Sequence, residues 1–256
     1  LPLDRWAVDR TAQLQAEIVA AYADCHFHIV YQKLHNFCNS DLGGFYLDII
    51  KDRLYTTGVD SLARRSAQTA MFHIVEALVR WMAPILSFTA EEIWENLPGE
   101  RAVSVLLVEW YTDLVELGES EVMGRAYWQQ VMAVRAAVNK EMENRRAAGE
   151  LRGSLDAGVA LYCDGDLHDL LAAMGDELRF VLITSAATLA PAADAPRDAV
   201  AADVDGLALK VSVCEDDKCE RCWHRTSEVG QIDKHPTLCG RCIENIEGDG
   251  EQRRFA

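Results

Sequence analysis

Residues 219–242, CERCWHRTSEVGQIDKHPTLCGRC, contain the pattern from which the structure of the C-terminal part can be predicted. This stretch holds two Cys-x-x-Cys pairs, Cys219 with Cys222 and Cys239 with Cys242, separated by sixteen residues. This spacing is typical of a zinc site in which four thiolates surround one ion at tetrahedral angles. Because four sulfurs leave no position for water, the sequence predicts one structural zinc and no metal-dependent hydrolysis.

Two alternatives to a site of four cysteines remain open at this point. The pairs could form disulfides, although nothing in the sequence indicates an oxidising compartment. A histidine between the pairs, His224 or His235, could also replace one of the sulfur ligands. The remaining cysteines are scattered without a pairing pattern, which favours the metal over disulfides: Cys25, Cys38, Cys163 and Cys214.

The residues around the two pairs combine cations with one aromatic side chain: Lys218, Arg221, Trp223, His224, Arg225 and Arg241. Such a combination can stack an unpaired base and hold its phosphates. The alternative is that Trp223 packs against the cysteines, because an aromatic beside a small metal site commonly replaces a core. The composition of this cluster favours base stacking only slightly.

The composition describes a globular chain of one to three domains. Its 256 residues are 50% hydrophobic and 26% charged, and the net charge of −16 argues against a general phosphate-binding surface. The acidic excess is concentrated in residues 98–206, so a polyanion is expected to meet the residues on either side. The longest uncharged stretch, residues 180–193, is shorter than the roughly 18 apolar residues of a membrane span. We therefore expect a cytoplasmic protein without a membrane partner.

Hydrophobic periodicity predicts a mainly α-helical fold in three parts. Residues 1–110 read as a bundle of four to six helices, since apolar side chains recur every three or four positions. Within it, Asp41 is a plausible start of a helix over residues 41–55, and residues 103–110 form an apolar run of β type. Residues 111–214 are predicted to form a long helix, over residues 121–150, and a small α+β module. Residues 215–256 are the predicted zinc ribbon.

Catalytic signatures are absent from the sequence. It contains no G-x-x-x-x-G-K-[ST], G-x-G-x-x-G, H-E-x-x-H or G-x-S-x-G motif. Residues 203–206 hold two aspartates and a glycine, but they lack the other ligands of a calcium loop and are interpreted as a turn. The chain is therefore not expected to be catalytic by itself.

Several of these stretches resemble the bacterial isoleucyl-tRNA synthetases. The resemblance spans nearly the whole chain, and its most specific parts are residues 48–55 (DIIKDRLY), 219–224 (CERCWH) and 248–256 (GDGEQRRFA). The zinc ribbon separates this family from the valyl and leucyl relatives. Two departures are the LRGSLDA segment at residues 151–157 and the unusually acidic middle region.

The resemblance implies a C-terminal fragment of a class I aminoacyl-tRNA synthetase. It implies an anticodon-binding bundle and a ribbon that closes over the anticodon loop of isoleucine tRNA. Catalysis with ATP and editing would belong to domains upstream, because the family's nucleotide-binding motifs are missing here. Arg221 and Trp223 match positions that the family places against the anticodon, and with Arg225 and Arg241 they are the predicted tRNA contacts. The fragment is expected to be monomeric.

Two other functions are weighed against this reading. A DNA glycosylase carries a similar finger but needs an N-terminal proline followed by glutamate, whereas this chain begins Leu1-Pro2-Leu3. A scaffold module that touches no RNA is the second alternative, and the net charge of −16 is its best support. Lys51 and Arg53 are weaker candidates for RNA contacts, because a solvated helix face or ion pairs with Asp48 and Asp52 would explain them as well.

Overall fold

The computed structural model describes residues 1–118 and 121–256. Residues 119 and 120, within the predicted middle segment, lie outside the described residues. The chain divides into two compact units, the first formed by Leu1–Asp48 and Arg65–Gly124 and the second by Ile49–Arg64 and Arg125–Ala256. The division into three parts at residues 1–110, 111–214 and 215–256 remains a prediction.

The first unit is helical. Its elements are α1 (Pro2–Ala23), α2 (Phe27–Asn36), a π-helical stretch (Phe37–Tyr46), most of α4 (Leu62–Met82) and α5 (Ser87–Asn96). Trp81 lies at the centre of the unit, fully buried. Its backbone carbonyl accepts a hydrogen bond from Tyr22 Oη at 2.6 Å, and its indole Nε1 donates to Gln15 Oε1 at 3.0 Å. Trp81 is one of the apolar side chains that recur every three or four positions in this part of the chain, and it is buried as that periodicity predicts.

The prediction that a helix begins at Asp41 is wrong. The chain stays helical from α2 through the π-helical stretch into α3 (Leu47–Thr56), so Asp41 lies inside a helix and pairs with Arg10 Nε at 2.9 Å. A π-helix brings residue i+5 next to the carbonyl of residue i. A Cβ on Gly43 would lie 3.0 Å from the Cys38 carbonyl oxygen, which explains a glycine within the helix rather than before it.

The β-type run predicted for residues 103–110 is also wrong. It contains a 3-10 turn, Val105–Leu107, which begins where Ser104 Oγ accepts a hydrogen bond from the Leu106 amide at 3.2 Å. Val105 is buried in a small cluster with Trp94, whereas Val103 and Leu107 are exposed. Among the described residues no strand pairs with this run. Its apolar side chains instead form a turn that buries Val105 and packs Val108 against the same cluster.

The second unit is a mixed α+β structure. The last part of α3 and the long helix α6 (Arg125–Ala147) accompany a four-stranded sheet of order β2-β1-β4-β3. Its strands are β1 (Ala157–Tyr162), β2 (Ala186–Ala190), β3 (Val200–Ala201) and β4 (Ala208–Val213), and the crossover from β1 to β2 contains α7 (Gly165–Ala172) and α8 (Leu178–Leu182). Strand β1 pairs parallel to β2, with Val159 opposite Ala187, and antiparallel to β4, with Val159 opposite Val211.

The core of the second unit lies between the sheet and α6. The buried apolar residues come from both elements: Trp128, Val131, Val134, Val138, Val159, Leu161, Leu209 and Val211. The only helix after the sheet in the described chain is α9 (Gly240–Glu247), which begins inside the second cysteine pair and contains Cys242. Together, the helical bundle, the small α+β module and the cysteine cluster confirm the predicted fold class.

Candidate metal centre and its surroundings

The first cysteine pair lies in a tight hairpin. Lys218 and Arg225 form an antiparallel bridge, and inside it the Cys219 amide donates to the His224 carbonyl at 2.9 Å. The Trp223 amide donates back to the Cys219 carbonyl at 2.9 Å, which closes the turn around the two sulfurs. Hydrogen bonding within six residues therefore directs Cys219 and Cys222 to one side.

The second pair lies at the start of α9. Cys239 precedes the helix, and its amide donates to Cys219 Sγ at 3.4 Å. The Gly240 amide donates to Glu228 Oε2 at 3.0 Å, and a Cβ at this position would lie 3.1 Å from the same oxygen. Glu228 is exposed, so its carboxylate could shift by the few tenths of an ångström that a Cβ would need, and this contact alone does not require glycine.

The four sulfurs fit a zinc ion. All four cysteines are buried, and their Sγ atoms lie within 4.8 Å of one another. Cys222 Sγ and Cys239 Sγ are 3.7 Å apart. This separation is far from a disulfide bond of about 2.05 Å and close to the roughly 3.8 Å between sulfurs of a tetrahedral zinc site with Zn–S bonds of about 2.3 Å. The segment has little other core: of the apolar side chains that the structure describes, Val229 and Leu238 pack against the sulfurs.

The histidines between the pairs are not part of the group of four metal-binding side chains. His235 Nε2 lies 2.9 Å from Glu247 Oε1, and His224 Nδ1 lies 3.3 Å from the Cys222 carbonyl oxygen. Hydrogen bonds from the thiols of Cys239 and Cys242 hold the pKa of the Cys222 thiol below its usual range. The same hydrogen bonds raise the pKa of the Cys239 and Cys242 thiols, so these contacts favour one thiolate among the three sulfurs.

A buried ion cluster lies beside the cysteines. Arg241, inside the second pair, donates two hydrogen bonds to the Asp52 carboxylate at 2.7 and 2.8 Å and a third to Glu251 at 3.1 Å. Arg253 donates to the same two acids. Burial alone would raise the pKa of Asp52, but the hydrogen bonds from Arg241 and the charges of Arg241 and Arg253 outweigh it and hold the pKa below its usual range.

The other two arginines predicted to contact tRNA are also engaged within the chain. Arg221 Nη1 donates to the Thr56 carbonyl at 2.7 Å. Arg225 Nε donates to Asp156 Oδ1 at 2.7 Å, and its backbone amide donates to Ser185 Oγ at 2.7 Å. The three guanidinium groups therefore bind acceptors on α3, on the sheet module and on the tail that follows α9.

Trp223 differs from these arginines because it faces solvent. Its side chain is 62% exposed, and Lys218 Nζ lies 5.6 Å from its ring centre. Its backbone is in the left-handed region at φ +67°, a conformation that costs a bulky residue about 1–2 kcal/mol. The turn that holds the cysteines thus turns this indole outward.

Sequence reasoning missed Asp52, Glu177 and Phe180 as neighbours of the metal centre. Two guanidinium groups lie over the Phe180 ring: Arg253 Cζ is 3.3 Å and Arg241 Cζ is 5.0 Å from the ring centre. Glu177 accepts hydrogen bonds from three consecutive backbone amides of the tail, at residues 254–256. Only Asp52 had a signal, because it belongs to one of the three stretches most specific to the resemblance.

Comparisons with known proteins agree with this geometry. The family model "Anticodon-binding domain of tRNA ligase" matches residues 4–161, and the model "Zinc finger found in FPG and IleRS" matches residues 216–245. The chain is similar over its whole length to isoleucine–tRNA ligases of Pseudomonas paraeruginosa and Pseudomonas aeruginosa, each 62% identical, and of Alcanivorax borkumensis, 59% identical. It spans 27% of the length of these relatives.

These findings confirm the resemblance to isoleucyl-tRNA synthetases and the structural zinc. The zinc-finger match and the four buried sulfurs support one ion. Across the described helices, none combines the length and the apolar character needed to cross a membrane. Since the larger of the two matches covers more than half of the residues, the chain belongs to the family of anticodon-binding domains of tRNA ligases.

Proposed function

We propose that this chain is the tRNA-binding part of an isoleucine–tRNA ligase and that it holds the anticodon arm of isoleucine tRNA. ATP-dependent joining of isoleucine to the tRNA would take place in parts of the longer protein outside these 256 residues. The proposal places the protein in the cytoplasm as a monomer. The relatives at about 60% identity support isoleucine as the amino acid, and the matched family supports tRNA as the partner.

Cys219, Cys222, Cys239 and Cys242 hold one zinc ion in this proposal. The ion supplies a tetrahedral crosslink between the hairpin and α9, and with four sulfur ligands it takes no part in a reaction. The cysteines bring together two segments that share few apolar contacts. Removal of the ion would therefore release the surface that carries Trp223.

The observation that carries the proposal is the exposed indole of Trp223 beside Lys218. An unpaired loop base can stack on such a ring, and each stacking contact is worth about 1–3 kcal/mol. Lys218 adds a positive charge next to the ring, where a phosphate of the stacked nucleotide would lie. Trp223 is therefore the central contact in this proposal.

Arg221, Arg225 and Arg241 have a different status from Trp223. Each was predicted to contact tRNA, yet each guanidinium already donates to an acceptor on this chain. A contact with RNA through one of them would require it to share or exchange that acceptor. Arg225 and Arg221 are half-buried and can still present an edge to a phosphate, so they remain secondary candidates.

The test is a binding titration of isoleucine tRNA and of the same tRNA with an altered anticodon. Each is measured with zinc present and after chelation, at several salt concentrations, because phosphate contacts make affinity depend on salt. We expect binding that discriminates the anticodons and that is lost with the metal. Equal, weak binding of both tRNAs would favour the scaffold function, in which the zinc module touches no RNA.

A further inference from the structure

Three stretches that are far apart in the sequence meet beside the cysteines. Residues 48–55, 219–224 and 248–256 are the parts of the chain most specific to the resemblance, and anticodon binding by an exposed indole does not explain all three. The structure joins them through side chains: Asp52 of the first stretch contacts His224 of the second and Arg253 of the third, and Arg221 of the second binds Thr56, directly after the first. Their common neighbour is the metal centre.

The two Cys-x-x-Cys loops are attached to the same helix by equivalent residues. Arg221 is the third residue of Cys219–Cys222, and Arg241 is the third residue of Cys239–Cys242. Arg221 binds the Thr56 carbonyl and Arg241 binds the Asp52 carboxylate, one helical turn apart at the C-terminal end of α3. Each half of the metal centre thus has its own attachment to α3.

The tail after α9 is attached to the same carboxylate. Arg253 donates to Asp52 Oδ2 and to Glu251 Oε2, and its side chain is only 3% exposed. Glu177 accepts the backbone amides of residues 254–256 at 2.6–2.9 Å. Asp52 therefore binds one arginine from the metal centre and one from the tail.

The charges around Asp52 favour ion pairs with Arg241 and Arg253 within the chain over a contact between these arginines and RNA. A zinc ion with four thiolates carries a net charge of −2, and Asp52 and Glu251 add two further negative charges. Arg253 is buried among these groups, Arg241 is 11% exposed, and both guanidinium groups lie over Phe180. Guanidinium groups with fixed, bidentate acceptors hold geometry well.

We propose that Asp52 is a positioning residue for RNA recognition, which acts through Arg241 and Arg253 to hold the metal centre so that Trp223 keeps one orientation. The inference rests on the proposed stacking function of Trp223. Asp52 itself touches no RNA. Its carboxylate fixes α9 through Arg241, the zinc ion links α9 to the hairpin, and the hairpin carries Trp223.

The substitution Asp52→Asn distinguishes a positioning role from long-range electrostatics, because the two predict opposite changes in RNA affinity. Removal of one negative charge from a chain of net charge −16 would by itself strengthen the binding of a polyanion. Loss of the bidentate acceptor would instead loosen the module and weaken binding. Asp205→Asn is the matched control, since Asp205 is an exposed aspartate of the same compact unit and its substitution changes the charge equally.

The experiment compares the wild-type chain, Asp52→Asn, Asp205→Asn and Asp52→Glu, each alone and with Trp223→Ala. Affinity for the anticodon stem-loop RNA and zinc content are measured for every variant. The orientation of Trp223 is followed by ¹⁹F NMR of 5-fluorotryptophan-labelled chains, with its signal assigned by its loss in Trp223→Phe. If Asp52→Asn releases zinc, Asp52→Glu, which keeps the carboxylate, carries the comparison.

We expect one zinc per chain, about tenfold weaker RNA binding by Asp52→Asn and a shifted or divided Trp223 signal. Asp205→Asn should bind at least as tightly as wild type, and Asp52→Glu should recover part of the loss. In the Trp223→Ala background the effect of Asp52→Asn should disappear. An unchanged Trp223 signal in Asp52→Asn would overturn the positioning role, whereas unchanged binding by Trp223→Ala alone would overturn the proposed function.

Discussion

The two compact units each contain an acid that holds two arginines against an aromatic ring. In the first unit Glu76 pairs with Arg80 and Arg101, and both guanidinium groups lie over Trp94, with Cζ at 4.9 and 4.6 Å from the ring centre. In the second unit Asp52 pairs with Arg241 and Arg253, which lie over Phe180. The same chemistry thus occurs twice.

The difference lies in what brings the members together. The Glu76 cluster is drawn from residues 76–101, and Trp94 packs with Val79, Ala83, Ala90 and Val105 in an apolar core. The Asp52 cluster joins side chains 189 and 201 residues apart, and Arg241 stands between two of the four buried cysteines. Apolar packing holds the first cluster, whereas the second depends on the metal centre that places Arg241.

Metal removal is expected to give the largest effect and to separate the two clusters. Structural zinc contributes about 10–16 kcal/mol to folding of small zinc modules, so chelation or Cys222→Ser should unfold residues 216–256. Residues 1–48 and 65–118 should keep their protection, because their core contains no metal ligand. Hydrogen exchange measured by mass spectrometry on both states gives the comparison.

The control for metal removal is Cys25→Ser, which changes an exposed thiol of the first unit. It should leave zinc content and protection unchanged. A single cooperative collapse of both units after chelation would show that the apolar core of the first unit is not sufficient by itself.

The reverse experiment removes the ring of the first cluster. Trp94 is buried, and its indole donates to the Ala102 carbonyl at 2.9 Å. Trp94→Ala should lower the free energy of unfolding of the first unit by about 3–5 kcal/mol, through lost packing and a cavity. Denaturant unfolding and zinc content together check this prediction, since the metal should remain bound.

Phe88→Ala is the matched control for Trp94→Ala, because Phe88 is 93% exposed in the same helix. An exposed ring should change stability by less than about 0.5 kcal/mol. Zinc loss from Trp94→Ala would mean that the second cluster also depends on the packing of the first.

Acid is expected to weaken the Glu76 cluster in a defined direction. Burial would raise the pKa of Glu76, but hydrogen bonds from Arg101 and Arg80 outweigh it and hold the pKa below its usual range. A lowered carboxyl pKa stabilises the fold above the ordinary value of about 4.3, and this stabilisation is lost as pH falls through the lowered pKa. Glu76→Gln should cost about 1–3 kcal/mol at pH 7.

The measurement is the unfolding free energy of the chelated chain from pH 7 to pH 3. The difference between wild type and Glu76→Gln should shrink below about pH 4.3. Glu92→Gln changes an exposed glutamate of α5 and should show no such dependence. A constant difference across this range would contradict a stabilising Glu76 carboxylate.

The sequence was sufficient where one local pattern determines the structure. The spacing of Cys219, Cys222, Cys239 and Cys242 identified the metal centre because each pair folds within a few residues. Helical periodicity likewise identified the faces that bury Ile18 and Val134. Local hydrogen bonding and apolar burial act over one or two turns, which is the range that a pattern records.

Other features depend on partners that no local pattern reveals. Asp41 resembled a helix start because glycines normally interrupt a helix. The π-helical geometry that accommodates Gly43 inside the helix is rare and leaves no pattern in the sequence. Residues 103–110 resembled a strand because their composition suits one, but a strand also needs a neighbour to pair with. Arg241 was predicted to contact tRNA and Arg253 was given no role of its own, since their shared acceptor, Asp52, lies about 190–200 residues earlier in the chain.

The most direct test of the central claim is the substitution Trp223→Ala, measured for anticodon stem-loop affinity and for zinc content in the same preparation. We predict that one zinc per chain is retained and that binding weakens by about 1–3 kcal/mol, the value of one stacked base. Loss of zinc from this variant would contradict this prediction, since the indole would then be packing on the metal centre. Unchanged affinity would contradict it as well, because the exposed ring would then stack on no base.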